Sequence, residues 1–471
     1  LIAQRAMPLT IGVAISPGRL ASVAGEDDPR FGRSLELDSM TDRMPRFVVE
    51  EVLPALKRRT TPDGKPILLS DNPNDRATGG NSTGAIAAFN LAWQRPHEFH
   101  RVFTSIGTFV DMRGGERFYS LVRKSEPKPL RVFMEDGLND QCAPVTQMGD
   151  WSMSNQTMAR ALEFNGYETT HMWGAGGHSN KHAAAIFPDA VRWLWQGWPA
   201  PVGHRPTENP ALKALLDTKE SWKSVLTQGR APKNLVTGPK GEVYYTDAGK
   251  TFVLNEGAES SGGAPGGPIL AFDRLGKPHR GDAWGGLAIQ GFTVRHNDDV
   301  YATVQTGQDE GQLWRLRGNG ERTLLYTGIN GASGLAFSPN GLWLMVAQKK
   351  SRWALSFRVT ADGGVELPEP YYDFWVSDAK DGSEAGGVCM DRDGRPYAAT
   401  PMGVQVFDRN GRLIAILPLP GNEAATSICF GGEAFDTLYV SAGAQIYKRK
   451  LRAKGIAPWA EPIKLPRWGE G

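Results

Sequence analysis

A serine flanked by glycines is the pattern in this chain with the clearest capacity for chemistry. Gly80-Asn81-Ser82-Thr83-Gly84 has the form Gly-x-Ser-x-Gly, in which a serine nucleophile stands on a sharp turn between a strand and a helix. Glycine lacks Cβ, so neighbouring backbone can crowd that turn. The run 85–93 favours a helix that ends before Pro96. The pattern predicts Ser82 as a nucleophile, with a plain strand-to-helix turn as the alternative.

The histidine best placed to act as a base is His178. A serine nucleophile needs a base within hydrogen-bond reach and a carboxylate to orient that base. His178 lies in a glycine-rich loop, 174–179, between a predicted strand and a predicted helix. Such a loop can carry an imidazole to the carboxyl edge of a parallel sheet. We interpret His182 as a residue near a helix N-terminus and His171 as a strand residue, and an ordinary polar loop is the alternative for His178.

Several carboxylates could orient that histidine. Asp140 lies in the turn after Gly137, where its side chain can bend back toward the histidine, and we predict it as the acid. Glu135 and Asp136 lie closer to the end of the preceding strand and remain alternatives. Asp111, after an earlier strand, is a further one.

The first 200 or so residues alternate between strand-like and helix-like segments. Alternation of this kind predicts a parallel α/β sheet. The predicted strands are 9–16 (buried), 102–106, 130–134 and 169–173, and the predicted helices are 42–59, 151–165 and 182–195.

The chain changes character after a proline-rich segment. Pro199, Pro201, Pro206 and Pro210 fall within a short polar stretch, which is typical of an inter-domain linker. From about Lys233 onward, short strands alternate with Gly/Asp turns, and similar segments recur at intervals of about 40–60 residues. Short strands at this spacing predict the blades of a β-propeller. Five units are clear, and the chain ends could complete a sixth.

Four runs in the first part resemble the esterase D / enterochelin-esterase type of α/β-hydrolase. They are Gly80-Asn-Ser-Thr-Gly-Ala, Phe103-Thr-Ser-Ile-Gly-Thr, Glu135-Asp-Gly-Leu-Asn-Asp and Gly176-Gly-His-Ser-Asn-Lys-His. That group includes feruloyl and acetyl esterases acting on acylated carbohydrates. The resemblance covers 1–198 and implies Ser82 as nucleophile, Asp140 as acid, His178 as base and the backbone N–H of Thr83 as an oxyanion donor. It implies a glycan ester or small acyl ester as substrate and no cofactor.

The resemblance also predicts that the first domain is N-terminally incomplete. Members of this group have several strands before the region that matches Leu1, including the loop that supplies the other oxyanion donor. Loss of one such donor costs about 10²–10³ in rate. We therefore expect the sequence to lack the first strands of the hydrolase domain.

The second part, 235–449, resembles six-bladed propellers of the gluconolactonase / regucalcin type. Runs at 238–247, 334–341 and 391–400 carry the resemblance. Enzymes of that type hold a divalent ion, usually calcium, through Glu, Asn and Asp side chains, which suit a hard cation. The ligand positions fall on Lys233, Gln290-Gly291, Ser333-Gly334, Gln348 and Gly386-Gly387, and Glu384 is the nearest carboxylate. We therefore predict no metal site and a largely non-catalytic module. A metal-dependent lactonase and a non-enzymatic carbohydrate-binding or scaffold protein are the alternatives.

Composition excludes several classes of protein. The net charge is +2 over 471 residues and no basic run is interleaved with aromatics, which argues against nucleic acid as a partner. No apolar run approaches the length of a membrane span. Three scattered cysteines, Cys142, Cys389 and Cys429, favour neither a disulfide framework nor a thiolate metal site. The predicted organisation is a multidomain α/β plus all-β chain: an α/β-hydrolase domain at 1–198, a linker and connecting helix at 199–228 and a six-bladed β-propeller at 229–460.

The propeller segment also contains tryptophans that could stack on sugar rings if exposed. They are Trp284, Trp314, Trp343, Trp353 and Trp375. Aromatic residues at strand positions usually pack between sheets, so we expect most of them to belong to the cores of the blades.

Overall fold

The chain divides into two compact units, Leu1–Asn209 and Pro210–Gly471. The computed structural model describes residues 1–4, 6–20, 30–141, 149–225, 230–254, 268–421 and 423–466. Cys142 lies outside these ranges, whereas Cys389 and Cys429 are free thiols. No helix in the described ranges is long and apolar enough to cross a membrane.

The first unit is an α/β fold. Its helices are α1 Arg33–Leu37, α2 Arg43–Phe47, α3 Leu53–Lys57, α4 Thr83–Gln94, α5 Arg117–Lys124, α6 Trp151–Phe164 and α7 Asn180–Trp195, with a π-helical turn at Val48–Val52 and a 3₁₀ turn at Pro73–Asp75. Its strands are β1 Arg19–Leu20, β2 Arg30–Phe31, β3 Ala77–Asn81, β4 Arg101–Ser105, β5 Arg131–Gly137 and β6 Glu168–Gly174.

Strands β3 to β6 form a parallel sheet in the order β3-β4-β5-β6. This confirms the predicted strands at 102–106, 130–134 and 169–173. Helices α6 and α7 confirm two of the predicted helices, and the continuous helical run 43–57, made of α2, the π-helical turn and α3, confirms the third. The carboxyl ends of parallel strands meet at one edge of the sheet. Asn81, Ser105, Gly137 and Gly174 are the last residues of the four strands, so the loops after them share that edge.

Helix α4, which follows the serine, is buried on nearly all sides. Its sequence, TGAIAAFNLAWQ, is rich in good helix formers, and ten of its residues are buried. Phe89 packs edge-on against Phe109 and Phe118, with ring centroids 5.7 and 5.1 Å apart. The helix ends at Gln94, because a residue that precedes a proline such as Pro96 is disfavoured in helical conformation. Core packing therefore fixes the helix whose N-terminus carries the candidate nucleophile.

The predicted buried strand at 9–16 is wrong. This segment forms no ladder, and its apolar side chains are exposed, Leu9 to 89 % of its surface. An extended segment becomes a strand only when its backbone groups pair with a neighbour, and β3 pairs with β4 alone within the described ranges. The segment instead lines an apolar cavity of about 620 Å³ that also contacts Ala77–Gly79 and α4. High β-propensity alone was therefore not sufficient to form a strand at 9–16.

The second unit is all-β apart from helix α8, Pro210–Leu215, and a 3₁₀ turn at Gly281–Trp284. Its strands are β7 Lys223–Val225, β8 Lys233–Thr237, β9 Val243–Asp247, β10 Lys250–Val253, β11 Ile269–Phe272, β12 Pro278–Arg280, β13 Ile289–Val294, β14 Val300–Gln305, β15 Glu310–Leu316, β16 Arg322–Asn330, β17 Ala332–Phe337, β18 Trp343–Gln348, β19 Trp353–Val359, β20 Val365–Asp373, β21 Val388–Met390, β22 Pro396–Thr400, β23 Gly403–Phe407, β24 Leu413–Leu417, β25 Ala425–Gly431, β26 Thr437–Ala442 and β27 Gln445–Lys450.

In the part of the chain that the structure describes, these strands form a β-propeller, as predicted, with five blades where six were expected. Within the described ranges, four sheets have four strands and one, β10-β9-β8, has three. The remaining sheet is only the hairpin β11-β12, which follows residues 255–267, outside those ranges. The hairpin is not counted as a blade, because the structure describes only two of the four strands that are typical of one. Strand β7 completes the last blade by pairing with β27, so the two ends of the unit meet in one sheet.

The segment predicted as linker and connecting helix, 199–228, is shared between the units. Residues 199–209 belong to the first unit, where the amide of Asn74 donates to the carbonyls of Pro199 and Ala200 at 2.9 and 3.2 Å. Helix α8 and β7 belong to the second unit, and Leu212 and Leu215 are fully buried in its core. The segment therefore contributes to both units, although its four prolines are exposed.

Candidate active site

Ser82 lies on the turn between β3 and α4 in a strained conformation. Its φ and ψ are 53° and −121°, and a positive φ is rare for residues other than glycine. A Cβ on Gly80 would lie only 2.2 Å from the carbonyl oxygen of Gly84, which explains why glycine is needed there. Such a strained turn is the geometry that lifts a serine hydroxyl clear of the backbone.

The structure brings Ser82, His178 and Asp140 into one hydrogen-bonded chain. His178 Nε2 lies 3.0 Å from Ser82 Oγ, and His178 Nδ1 lies 2.8 Å from Asp140 Oδ2. The Asp140 side chain is 1 % exposed and that of His178 is 41 % exposed. An ionised carboxylate can only accept hydrogen bonds, so Asp140 fixes the proton on Nδ1. Nε2 is then an acceptor facing the serine hydroxyl.

Two further side chains border this chain of groups. Thr108 Oγ1 lies 3.3 Å from Ser82 Oγ and accepts a bond from Trp151 Nε1 at 3.4 Å. The Trp151 ring packs edge-on against His178, with ring centroids 5.4 Å apart. Sequence reasoning did not single out either residue, although Thr108 ends one of the four runs that carry the hydrolase resemblance. The sequence separation of these residues leaves no local signal for their contact.

Thr83, the predicted oxyanion donor, is the first residue of α4. The first N–H groups of a helix have no acceptor within the helix and carry its positive dipole end. The side chain of Thr83 accepts a hydrogen bond from Arg33 Nε at 2.9 Å. This contact, also missed from the sequence, ties α1 to the start of α4 and places a guanidinium beside the serine turn.

The alternative acids have other partners. Asp136 accepts bonds from Asn155 Nδ2 at 2.8 Å and from the backbone N–H of Gly137 at 2.7 Å. Burial, followed by the hydrogen-bonded neighbour Asp140, raises the pKa of Asp136 to about 9, because a second buried negative charge beside the first is unfavourable. The raised pKa favours the protonated form of Asp136. Asp111 is an exposed residue.

Glu135 and His182 contact each other rather than the serine. His182 Nδ1 lies 2.8 Å from Glu135 Oε1, and Ser105 Oγ donates to Glu135 Oε2 at 2.6 Å. His171, on β6, stacks on Trp173 with ring centroids 4.6 Å apart. Of the histidines and carboxylates considered from the sequence, the structure places only His178 and Asp140 in line with Ser82.

The propeller positions predicted to have lost metal ligands are occupied by structural contacts. The Gln348 amide accepts from the Asn330 N–H at 2.9 Å and donates to the Trp353 carbonyl at 2.8 Å. Ser333 Oγ donates to the Gly386 carbonyl at 3.0 Å. These polar atoms bond to backbone groups of neighbouring strands, so they hold the propeller together.

The charged side chains near these positions also have partners. Lys349 Nζ lies 3.4 Å from Gln290 Oε1, and Lys380 Nζ lies 3.1 Å from Glu384 Oε2. Lys233 is exposed at the start of β8, and Gly386 and Gly387 have no side chain to offer a ligand. Within the described ranges, no group of three or more His, Cys, Asp or Glu side chains could hold a metal ion.

Most of the five propeller tryptophans are at least partly buried. Trp284 is 1 % exposed, and Trp314 donates from Nε1 to Gln312 Oε1 at 2.8 Å. Trp343 and Trp353 are the most exposed, at 43 % and 37 %. The expectation concerned most of these rings, and Trp343 and Trp353 are its exceptions.

A comparison with protein-family models finds a match within the second unit. Residues 291–444 match the family model described as the SMP-30/Gluconolactonase/LRE-like region. No curated protein sequence matches the chain. The predicted resemblance of the propeller to the gluconolactonase type is thereby confirmed.

Solved structures similar to parts of the chain fall into two groups. A gluconolactonase from Xanthomonas campestris is 19 % identical, covers 51 % of this chain and 93 % of its own, and has a TM-score of 0.41. Regucalcin from Agrobacterium tumefaciens, titled a calcium-binding protein, is 16 % identical over 51 % of this chain and 96 % of its own, with a TM-score of 0.41. The enterobactin esterase FES from Shigella flexneri is 22 % identical over 35 % of this chain and 41 % of its own, with a TM-score of 0.28.

Proposed function

We propose that the first unit is an α/β-hydrolase domain and that the protein is a serine carboxylic ester hydrolase. The observation that carries this proposal is the chain of hydrogen bonds from Ser82 Oγ through His178 to Asp140, at 3.0 and 2.8 Å, on a strained strand-to-helix turn. A base and its orienting acid within bonding distance of a serine are what nucleophilic catalysis requires.

In the first half of the reaction, Ser82 Oγ attacks the acyl carbon of the ester and forms a bond to it. His178 Nε2 takes the hydroxyl proton, and Asp140 stabilises the resulting imidazolium through Nδ1–H. The tetrahedral intermediate then collapses, the bond to the alkoxide breaks, and the imidazolium returns its proton to the leaving alcohol. The acyl group remains on Ser82 as an ester.

In the second half, water takes the place of the alcohol. His178 removes a proton from the water as its oxygen attacks the acyl-enzyme, and it returns that proton to Ser82 Oγ when the carboxylic acid leaves. The negative oxygen of each tetrahedral intermediate is stabilised by the N–H of Thr83 at the positive end of α4. No cofactor enters either step.

The substrate we propose is an acylated carbohydrate or a small acyl ester, with the propeller as a largely non-catalytic module. The side-chain contacts at the positions that correspond to metal ligands in the gluconolactonase type favour a non-catalytic propeller, because their polar atoms bond to backbone carbonyls and N–H groups. The exposed rings of Trp343 and Trp353 offer apolar faces of the kind that stack on sugars.

The test is hydrolysis of nitrophenyl acetate by the full chain and by Ser82→Ala. Removal of the nucleophile of a serine hydrolase lowers kcat by about 10⁶-fold, so we expect the variant to fall to the background rate. The matched control is Ser120→Ala, a serine on α5 with a similar degree of exposure. Labelling by a fluorophosphonate should occur in the parent and the control but not in Ser82→Ala. Equal rates in the parent and Ser82→Ala would overturn the proposal.

A second candidate function is a metal-dependent lactonase in the propeller, which the family match over 291–444 favours. It predicts lactone hydrolysis that a chelator abolishes and that Ser82→Ala leaves unchanged. A third, non-enzymatic binding of carbohydrate, predicts retention on a glycan resin without turnover. These readouts separate the three candidates.

A further inference from the structure

A second polar chain lies directly beneath the serine site and has no part in the mechanism above. Ser105 Oγ donates to Glu135 Oε2 at 2.6 Å, and His182 Nδ1 lies 2.8 Å from Glu135 Oε1. Ser105 is fully buried and Glu135 is 1 % exposed. Burial of a carboxylate costs free energy unless hydrogen-bond donors satisfy it, which points to a role for this cluster.

Each member of the cluster is attached to a segment that carries a residue of the candidate site. The carbonyl of Ser105 accepts the backbone N–H of Ser82 at 2.9 Å. The carbonyl of Glu135 accepts the N–H of Ile106 at 2.8 Å, and Ile106 has a φ of 42°, a strained value for a branched residue. Glu135 thus holds the end of β4 with its backbone and the start of α7 with its side chain.

His182 is the link to His178. The loop 175–179 that carries His178 runs from Gly174, the end of β6, to the first turn of α7, where His182 is the third residue. The His182 ring lies on Gly174, because a Cβ there would be 2.7 Å from its Cγ and Nδ1. His182 therefore contacts Gly174 at the start of the loop and lies in α7 at the end of the loop. Its bond to Glu135 anchors both ends to β5.

This anchoring matters because the His178 side chain is 41 % exposed. Packing does not confine it on the solvent side, so its 3.0 Å approach to Ser82 Oγ depends on where the loop ends are held. The other attachments of the loop are to the turn that carries Asp140: Asn139 donates from its N–H to the Gly176 carbonyl at 2.9 Å and from its amide to the Ala175 carbonyl at 2.8 Å. Both attachments lie before His178.

We propose that Glu135 and His182 are positioning residues that hold His178 in line with Ser82, with Ser105 orienting Glu135. This inference rests on the proposed function and deepens it. An ionised Glu135 only accepts, so Nδ1 of His182 carries the proton that it shares with Glu135. Neither residue touches the ester or exchanges a proton with it.

The test compares His182→Ala, His182→Asn and the control His171→Ala in the full chain. Misplacement of a catalytic group by about 1 Å costs about 10²-fold in rate, so we expect kcat of His182→Ala for nitrophenyl acetate to fall about tenfold to a hundredfold with KM within twofold. Asn keeps an N–H donor near the place of Nδ1, so His182→Asn should recover much of the loss. His171→Ala removes a histidine on β6 that stacks on Trp173 and does not contact the site. Its kcat and KM should match those of the parent.

A spectroscopic readout separates positioning from a general loss of structure. The Nδ1 proton of His178, shared with Asp140, gives a low-field proton resonance that should broaden or shift in His182→Ala and return in His182→Asn, while the melting temperature of each is recorded. An unchanged kcat and an unchanged resonance in His182→Ala would overturn the inference. It would also be overturned if His182→Ala and His182→Asn lost activity to the same extent and their melting temperatures showed that both had unfolded. If the parent itself does not hydrolyse esters, the proposed function fails, whereas the resonance still reports whether His182 positions His178.

Discussion

Polar side chains near strand ends have different hydrogen-bond partners in the two units. In the first unit, Ser82, His178 and Asp140 bond to one another at 2.8–3.0 Å, and Ser82 is held in a strained conformation. In the second unit, Gln348 and Ser333 bond to backbone groups. The difference teaches that the location of a polar residue is a poor guide to function. Side chains that bond to one another are candidates for catalysis, whereas side chains that bond to backbone groups stabilise the fold.

The largest expected effect comes from a change to Asp140, the proposed acid of the first unit. Asp140→Asn keeps the shape of the side chain but allows the wrong imidazole tautomer, a change that lowers kcat of a serine hydrolase by about 10⁴-fold. We expect a loss of this order in nitrophenyl acetate hydrolysis, with Asp189→Asn, an exposed aspartate on α7, as the control. Full activity of Asp140→Asn would remove the distinction between the two units.

A second prediction concerns the neighbouring acid, Asp136. Its folded pKa of about 9 exceeds the unfolded value of about 4, so the folded chain holds one more proton between these pH values. Its contribution to stability is complete below about pH 4 and is lost, by about 1.4 kcal/mol per pH unit, as pH rises toward 9. Asp136→Asn cannot ionise, so its melting temperature should exceed that of the parent by more at pH 8 than at pH 5.

The outcome is informative in either direction. Because a neutral amide replaces a neutral carboxylic acid, Asp136→Asn should keep its esterase activity at pH 7. A melting-temperature difference that does not grow with pH would show that Asp136 is ionised in the folded chain, and the charge assignment of the site would then need revision.

The smallest effect is expected in the propeller. Gln348 is buried, and Gln348→Ala removes its hydrogen bonds to the N–H of Asn330 and the carbonyl of Trp353, each of which contributes about 0.5–1.5 kcal/mol. We expect a lower midpoint of urea unfolding for the second unit with no change in ester hydrolysis, and no effect on either from Lys349→Ala. A loss of ester hydrolysis in Gln348→Ala would show that the propeller takes part in the reaction.

The sequence predicts much of the site because glycines and strand alternation are local signals. Gly80 and Gly84 mark the serine turn, and the strands before Asp140 and His178 are recognisable from their residues. The sequence predicted Asp140 as the carboxylate that faces the histidine, but it left three alternatives open: Glu135, Asp136 and Asp111. That choice depends on a turn whose shape is set by contacts with a distant loop.

Other features depended on partners that no local pattern contains. The segment 9–16 has the composition of a strand but pairs with nothing in the described ranges. The blade count depended on how many strands each repeat contributes, and the repeat around Ile269 contributes a two-stranded hairpin within the residues that the structure describes. His182 was interpreted as a residue near a helix N-terminus, which is where it lies, and its bond to Glu135 could not be seen from either residue alone.

The left-handed backbone at Ser82 and Ile106 has a consequence for protein engineering. Glycine adopts such conformations without strain, so a search that ranks substitutions by stability alone would favour glycine at Ser82. That choice would remove the proposed nucleophile, whereas glycine at Ile106, which is 3 % exposed, would leave a cavity in the core. A thermostable variant of this protein should therefore be sought away from the carboxyl edge of the sheet.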